Sequence, residues 1–280
     1  MTDPRDDRVD RDPADTRGSP VQLERDGPVA RLWMDRPDTH NAFDERLVDA
    51  LIQALADCHA DPALRVIVLG GRGRSFSAGA DLAAMRRLGE GDPAANLAAA
   101  RRMAGLFHAL AHSPKPVVAR VQGAAIGGGL GLAAACQVCI ASRPARFAMS
   151  EVRLGLVPAV ISPWVTRALG ERQALRYALS GERFSAERAH ALGLVHELCE
   201  ADVLDATVQS LVEHLLAGAP QAQATTVALL RRVAGQAVDA ALLDETAGCI
   251  ARVRAAAEAA EGITAFLDHR APTWQPPGRA

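Results

Sequence analysis

The chain has 280 residues, of which 49% are hydrophobic and 23% are charged, and its formal net charge is −2. This length suits one large α/β domain or two small ones, and the near-neutral charge offers no basic field for nucleic acid. Apolar runs stay below the ~20 residues of a membrane span, and five cysteines are too sparse for a disulfide framework. We therefore expect a cytoplasmic protein that has neither nucleic acid nor a membrane as its partner. The first 20 residues are rich in Asp, Arg and Pro without an apolar period, which predicts a disordered tail rather than a secretory signal.

Strands and helices alternate along the rest of the chain. Short apolar runs rich in β-branched residues predict strands over residues 21–24, 29–34, 66–69, 117–121, 138–141 and 146–149. Helical spacing predicts a helix capped by Asp44, helices over 94–111 and 130–136, and an almost wholly helical chain from Pro163 onward, with Ser162 as N-cap. This order predicts an α/β fold with a largely parallel sheet over residues 21–200 and a helical region over 201–280.

Two loops that follow predicted strands consist of residues with little or no side chain. The first loop is residues 75–81 and the second loop is residues 123–129, which includes three consecutive glycines. Ligands bind at the carboxyl ends of strands in open α/β sheets, and small residues let the main chain approach a ligand. Close packing of a helix on a strand is the alternative explanation for both loops.

The second loop does not have the spacing of a phosphate-binding loop. Gly129 stands where a P-loop needs lysine, and Leu132 stands where a dinucleotide fingerprint needs its third glycine. The remaining interpretation is that its backbone N–H groups stabilise a negative charge that develops on an oxygen atom.

Glu151 is the strongest candidate for proton transfer. It follows the apolar strand predicted over residues 146–149, where burial would raise the carboxyl pKa and suit it to proton transfer near neutral pH. The alternative is a surface glutamate paired with Arg153.

Three other groups have simpler explanations than catalysis. His108 and His112 have the i, i+4 spacing of metal ligands but no third ligand nearby in sequence, so we expect a solvated helix face and no metal site. Cys136 and Cys139 are expected to be buried structural thiols rather than a redox pair. Lys115, the only lysine, receives no catalytic role.

Several motifs, taken in this order, resemble the crotonase superfamily of enoyl-CoA hydratases and isomerases. They are Asp35-Arg36-Pro37, Asn41-Ala42-Phe43, Phe76-Ser77-Ala78-Gly79-Ala80-Asp81-Leu82, Lys115-Pro116-Val117, Gly127-Gly128-Gly129 and Ala265-Phe266-Leu267-Asp268-His269-Arg270. The stretch from Ser150 to Pro163 is similar to a branch that includes 3-methylglutaconyl-CoA hydratases.

The resemblance implies a spiral of ββα units with a helical C-terminal trimerisation region, assembled as a homotrimer or as a hexamer of two trimers. It implies an acyl-CoA thioester substrate, so that coenzyme A is part of the substrate and no separate cofactor is needed. The backbone amides of Ala78 and Gly128 would form an oxyanion hole, and Glu151 would be the catalytic carboxylate. The substrate would bind against Ala78, Gly79, Ala80, Asp81 and Gly128.

This chain departs from the family pattern at Gly131, where typical hydratases carry a first glutamate. Glu151 is then the only matching carboxylate, which also resembles Δ3,Δ2-enoyl-CoA isomerases that use a single base. We expect a hydratase, with an isomerase as the second hypothesis and a non-catalytic binding member of the family as the third. Arg86, in the helix after Asp81, is a candidate partner for a substrate carboxylate.

Overall fold

The computed structural model describes residues 18–275, so residues 1–17 of the predicted tail and residues 276–280 lie outside the described part. Two sheets form its framework. The strands are β1 (Val21–Asp26), β2 (Val29–Met34), β3 (Val66–Gly71), β4 (Val117–Val121), β5 (Ala124–Ile126), β6 (Val138–Ser142), β7 (Arg146–Ala148), β8 (Phe184–Ser185) and β9 (Glu197–Cys199). The larger sheet has the order β1-β2-β3-β4-β6-β9, and the smaller one has the order β5-β7-β8.

The larger sheet is parallel except for its first pair. Strands β1 and β2 form the antiparallel hairpin that the turn signal Asp26-Gly27 predicts, and every other neighbouring pair in that sheet is parallel. The carboxyl ends of β3 and β4 therefore lie side by side, which brings the loops that follow them to the same edge. The parallel sheet expected from the sequence is confirmed.

The described residues, 18–275, form eleven α-helices. They are α1 (Glu45–Ala60), α2 (Leu82–Glu90), α3 (Pro93–Ala111), α4 (Gly128–Ala135), α5 (Ser162–Leu169), α6 (Glu171–Ser180), α7 (Ala186–Ala191), α8 (Leu204–Ala217), α9 (Pro220–Val233), α10 (Ala240–Arg254) and α11 (Ala257–Leu267). The helix start predicted at Asp44 is confirmed, because its side chain accepts a hydrogen bond from the Leu47 backbone N–H.

Alternation along the strands divides the apolar side chains between two cores. In β3, Ile67 and Leu69 enter the larger core, which includes buried side chains of α1 and α3. Val66 and Val68 point to the opposite face, where they form a smaller core with buried residues of α8. A period of two is what a strand buried on both faces requires.

Several predicted boundaries are wrong. Ser162 is not an N-cap: helix α5 begins at Ser162 after Ile161, and the Ser162 hydroxyl donates to the Ala159 carbonyl oxygen. Helix α4 begins at Gly128 rather than residue 130, because glycine at a helix start gives little sequence signal. The chain after Pro163 also contains β8 and β9, which are too short to show a period.

The last three helices have few buried side chains. No residue of the described helices α9 and α10 is buried, and α11 buries only Ala265. Large apolar side chains are exposed along them, including Leu243, Ile263 and Phe266, the last at 80% exposure. Within residues 18–275, no helix combines the length and apolar character that crossing a membrane requires.

Candidate active site

The two small-residue loops pack directly against each other. The Ser77 N–H donates to the Ala124 carbonyl oxygen at 2.9 Å, and the Ile126 N–H donates to the Ser77 carbonyl oxygen at 3.0 Å. These bonds place the first loop alongside β5 in parallel register. A Cβ atom on Gly79, whose φ is +90°, would lie 2.7 Å from the Ile126 carbonyl oxygen. Glycine is therefore needed there both for its conformation and for the close approach of the two loops.

The hydrogen bonds of the first loop correct the predicted oxyanion donor. The Ala78 N–H donates to the His40 carbonyl oxygen at 2.9 Å, so it is already engaged within the protein. The N–H groups of Gly79 and Asp81 are also engaged, by the Ser77 hydroxyl at 3.2 Å and the Phe43 carbonyl oxygen at 2.7 Å. Between residues 76 and 81, the N–H without a partner in the described structure is that of Ala80. Ala80, not Ala78, is the donor available to a ligand.

The second loop provides another available amide. Gly128 is the first residue of α4, and the first N–H groups of a helix have no partner inside it. The neighbouring Gly127 N–H, by contrast, donates to the Ala148 carbonyl oxygen at 2.8 Å. Helix α4 therefore presents the Gly128 N–H and the positive end of its dipole, as predicted for this loop.

Glu151 lies beside Gly127. It begins a short 3-10 helix, Glu151–Leu154, directly after the smaller sheet rather than ending a strand. A Cβ on Gly127, whose φ is +51°, would lie only 3.0 Å from Glu151 Oε1, so glycine leaves room for the carboxylate. Glu151 Oε2 is buried and has no hydrogen-bond partner within residues 18–275. Burial therefore raises the carboxyl pKa above its ordinary value, although the Glu151 N–H opposes this in part.

A cavity of about 640 Å³ joins these groups. Its lining includes Ala78, Gly79, Ala80, Gly128 and Glu151. The remaining wall is mostly apolar and comes from α1, α2, α3 and residues 154–161. Arg102 and Arg183 are the two arginines of this lining.

Two predicted binding residues lie outside the cavity wall. Asp81 caps α2, where one carboxylate oxygen accepts from the N–H groups of Ala83 and Ala84 at 3.0 and 3.1 Å. Its other oxygen lies 3.7 Å from a guanidinium nitrogen of Arg36. Arg86 is exposed on α2 and does not line the cavity either. Neither side chain therefore lines this cavity: Asp81 is engaged at the start of α2, and Arg86 lies on the exposed side of that helix.

The wall at Gly131 is closed by apolar side chains. Gly131 is buried in α4, and a Cβ there would lie 2.3 Å from Ile161 Cγ2 and 3.1 Å from Phe107 Cε1. A glutamate at this position has no space unless Ile161 moves. Ile161 itself lines the cavity, so the wall beside α4 is apolar at that point.

The remaining candidates lie away from the cavity. The rings of His108 and His112 stack at 4.0 Å between centroids, and residues 18–275 contain no group of three potential ligands that could hold a metal ion. Cys136 and Cys139 are buried free thiols, and burial raises the pKa of Cys139 to about 12. Lys115 Nζ donates to the carbonyl oxygens of Cys58 and Asp61 at 2.6 and 2.5 Å, which ties down the end of α1.

The fold and the site together define an α/β protein that presents two unpaired backbone amides and one buried carboxylate to a single cavity. The family model for enoyl-CoA hydratase/isomerase matches residues 24–277. This chain therefore belongs to the enoyl-CoA hydratase/isomerase family, within the crotonase superfamily.

The alignments with similar proteins cover almost the whole chain. The crystal structure of an enoyl-CoA hydratase from Shewanella pealeana has 42% sequence identity and a TM-score of 0.88, covering 91% of this chain and 95% of that one. A provisionally named enoyl-CoA hydratase of Thermus thermophilus is 37% identical over 257 residues, 90% of this chain and 99% of the relative. The 2,3-dehydroadipyl-CoA hydratase of Escherichia coli is 32% identical over 258 residues, 92% of this chain and 99% of the relative. These matches confirm the crotonase fold.

Proposed function

We propose that this protein is an enoyl-CoA hydratase that adds water across the 2,3 double bond of an enoyl-CoA thioester. The observation that carries the proposal is the meeting of the Ala80 and Gly128 amides with the Glu151 carboxylate in one cavity. Two N–H donors suit the thioester oxygen, which gains negative charge in the reaction, and loss of one such donor typically costs ~10²–10³ in rate. The hydratase names of the three similar proteins described above support the same reaction.

A single carboxylate is sufficient for the proton balance of hydration. Glu151 accepts a proton from water as the water oxygen bonds to C3, and the π electrons of the double bond move onto the thioester oxygen. The enolate then collapses, and C2 takes a proton from the Glu151 carboxyl group. The carboxylate is regenerated, the hydroxyl is on C3 and the new hydrogen is on C2. The raised pKa of Glu151 favours this exchange because the group must both accept and release a proton.

An isomerase is the second candidate, and the wall at Gly131 is the observation that favours it. Ile161 and Phe107 occupy the space in which a second carboxylate would stand, and the other carboxylates of the described cavity lining, Asp44 and Glu45, belong to the start of α1. One base is enough to move a proton between C4 and C2 of a 3-enoyl thioester. The two reactions differ in net hydration, which only the hydratase produces.

For the acyl group we propose a carboxylated enoyl chain, such as 3-methylglutaconyl-CoA. The similarity of residues 150–163 to that branch supports this substrate, as does the 2,3-dehydroadipyl-CoA hydratase among the relatives. Arg102 and Arg183 replace Arg86 as the candidate partners of a substrate carboxylate, because both line the cavity.

A homotrimer, alone or paired as a hexamer, is the assembly that we propose. The exposed apolar side chains of α9, α10 and α11 support it, because these helices bury almost nothing within their own chain. Large apolar patches on a protein surface usually mark an interface.

The test is a panel of acyl-CoAs, short linear and carboxylated, with both 2-enoyl and 3-enoyl double bonds. Loss of the conjugated enoyl-thioester absorbance with formation of 3-hydroxyacyl-CoA supports the hydratase. Appearance of the conjugated enoyl-thioester absorbance from 3-enoyl-CoA, without net hydration, supports the isomerase. The Glu151→Gln variant should bind acyl-CoA without turnover, whereas Glu197→Gln, at an exposed glutamate of β9, should retain full activity. Binding without turnover by the unmodified protein across the whole panel would support the non-catalytic alternative.

A further inference from the structure

Two consecutive residues beside the first loop have a backbone conformation that side chains rarely adopt. His40 and Asn41 have φ values of +53° and +55°, and neither is glycine. Asn41 is also fully buried, at 0% exposure. A buried polar side chain in this conformation needs a structural or functional explanation.

The Asn41 carboxamide binds the beginning of the first loop. Its Nδ2 donates to the carbonyl oxygens of Arg72, Ser75 and Phe76 at 3.0, 2.9 and 3.2 Å. Its Oδ1 accepts from the Arg36 backbone N–H at 2.8 Å, which fixes the orientation of the amide group. The side chain therefore connects residues 36, 72, 75 and 76 through one planar group.

The backbone around Asn41 binds the end of the same loop. The left-handed turn directs the His40 carbonyl oxygen to the Ala78 N–H, and the Asn41 carbonyl oxygen accepts from the Ser77 hydroxyl at 2.8 Å. That hydroxyl in turn accepts from the Gly79 N–H at 3.2 Å. Each contact occupies a loop group other than the Ala80 N–H.

We propose that Asn41 is a positioning residue that holds the first loop so that the Ala80 N–H alone remains available to the thioester oxygen. The inference rests on the proposed function, since it assumes that Ala80 is one of the two donors. It adds a mechanism for selecting that donor: Asn41 and its left-handed turn satisfy the neighbouring amides and carbonyls.

Arg36 reinforces the same arrangement from the outer side. Its guanidinium donates to the Ala42 carbonyl oxygen at 2.6 Å and forms ion pairs with Asp44 at 3.0 Å and Asp81 at 3.7 Å. These two carboxylates cap α1 and α2. Because both ends of the first loop are restrained, we expect a change at Asn41 to shift the Ala80 N–H rather than to unfold the helices.

The test compares buried polar residues at the loop with matched residues elsewhere. Asn41→Ala is paired with Gln137→Ala, because the Gln137 amide also donates to two backbone carbonyl oxygens, those of Leu110 and Ala111. Ser77→Ala is paired with Ser113→Ala, since both serines have 0% exposure and hydrogen bonds to the backbone. The serine pair decides the question if Asn41→Ala does not fold.

Two readouts separate positioning from general stability. The first is the steady-state kcat and KM with the acyl-CoA that the panel identifies. We expect kcat to fall about tenfold to a hundredfold in both loop variants with little change in KM, because a displaced donor is weakened rather than lost. The control variants should lose thermal stability to a similar extent and keep kcat.

The second readout is the infrared stretch of ¹³C-carbonyl crotonyl-CoA bound to protein that also carries Glu151→Gln. Hydrogen bonding to the thioester oxygen lowers this frequency relative to free crotonyl-CoA, and we expect Asn41→Ala and Ser77→Ala to reverse part of the shift. A full shift and full kcat in every loop variant that folds would overturn the positioning role. No shift in the protein with Glu151→Gln alone would instead overturn the proposed pair of donors.

Discussion

The Gly128→Ala substitution tests how closely the protein packs around the Gly128 N–H, one of the two proposed donors to the thioester oxygen. The φ of Gly128 is not left-handed, so alanine is conformationally permitted, but an added Cβ would lie 2.6 Å from Phe43 Cε2 and 2.8 Å from Cδ2. Ordinary contact begins at 3.4 Å, so the ring must move by about 0.8 Å. Phe43 is 3% exposed and lines the cavity, so we expect the displaced ring to narrow the space proposed for the acyl-CoA.

The expected effect of Gly128→Ala is larger on catalysis than on stability. Overpacking costs about 1–3 kcal/mol and alanine in a helix gains about 0.5–1 kcal/mol over glycine, so the net loss of stability is about 0–2.5 kcal/mol. A displacement near 1 Å at the reacting group costs about 10²-fold, which we expect to appear in kcat. Thermal melts and initial rates of enoyl-thioester hydration measure the two effects.

Gly105→Ala is the matched control. Gly105 lies within α3, and a Cβ there meets nothing within 4 Å, so this variant should be at least as stable as the parent and fully active. Unchanged kcat in Gly128→Ala would refute the placement of the thioester against this amide. An equal loss of kcat in Gly105→Ala would show that the effect is not local.

Three further predictions concern the carboxylate, the closed wall and the assembly. Because the pKa of Glu151 is raised in the folded state, ionisation of this carboxyl group opposes folding as pH increases through that pKa. Glu151→Gln should therefore raise Tm at neutral pH. The gain should shrink in acid, where the protonated glutamic acid and the glutamine side chain are both neutral. Gly131→Glu should destabilise the protein strongly, and adding Ile161→Ala should restore part of the loss, which a double-mutant cycle of unfolding free energies detects. Phe266→Asp should shift the protein towards the monomer in analytical ultracentrifugation, whereas Arg86→Asp on exposed α2 should not.

Local sequence patterns were sufficient for most of the fold. The hairpin at β1 and β2, the cap at Asp44 and the buried strand β4 each depend on neighbouring residues, and the structure contains all three. The sixth strand of the main sheet, β9, was missed because three residues with mixed exposure carry no period. Its pairing with β6 is a tertiary contact that short-range patterns do not encode.

The candidate site was predicted to the level of the loop but not of the individual amide. The small residues of the first loop marked its position, yet Ala78 and Ala80 are chemically identical, so only their hydrogen-bond partners distinguish them. The partner of Ala78 is the His40 carbonyl oxygen, whose direction depends on a left-handed turn 38 positions earlier in the chain. For Asp81, the sequence did contain a signal, because aspartate directly before a helical segment is a typical N-cap.

The site combines three polar groups without hydrogen-bond partners in the described structure: the Ala80 N–H, the Gly128 N–H and Glu151 Oε2. The backbone groups next to them, by contrast, are hydrogen-bonded within the protein. A buried polar group without a hydrogen-bond partner is unfavourable by about 1–3 kcal/mol, and Glu151 Oε2 is such a group in the described structure. Those groups persist only if the adjoining backbone cannot rearrange to satisfy them. At Ala80 the neighbouring amides are occupied by His40, Ser77 and Phe43, and at Glu151 the glycine at position 127 offers no side chain as a partner. The rigid bonding of the neighbours is therefore what keeps the donors and the carboxylate available for a thioester and a water molecule.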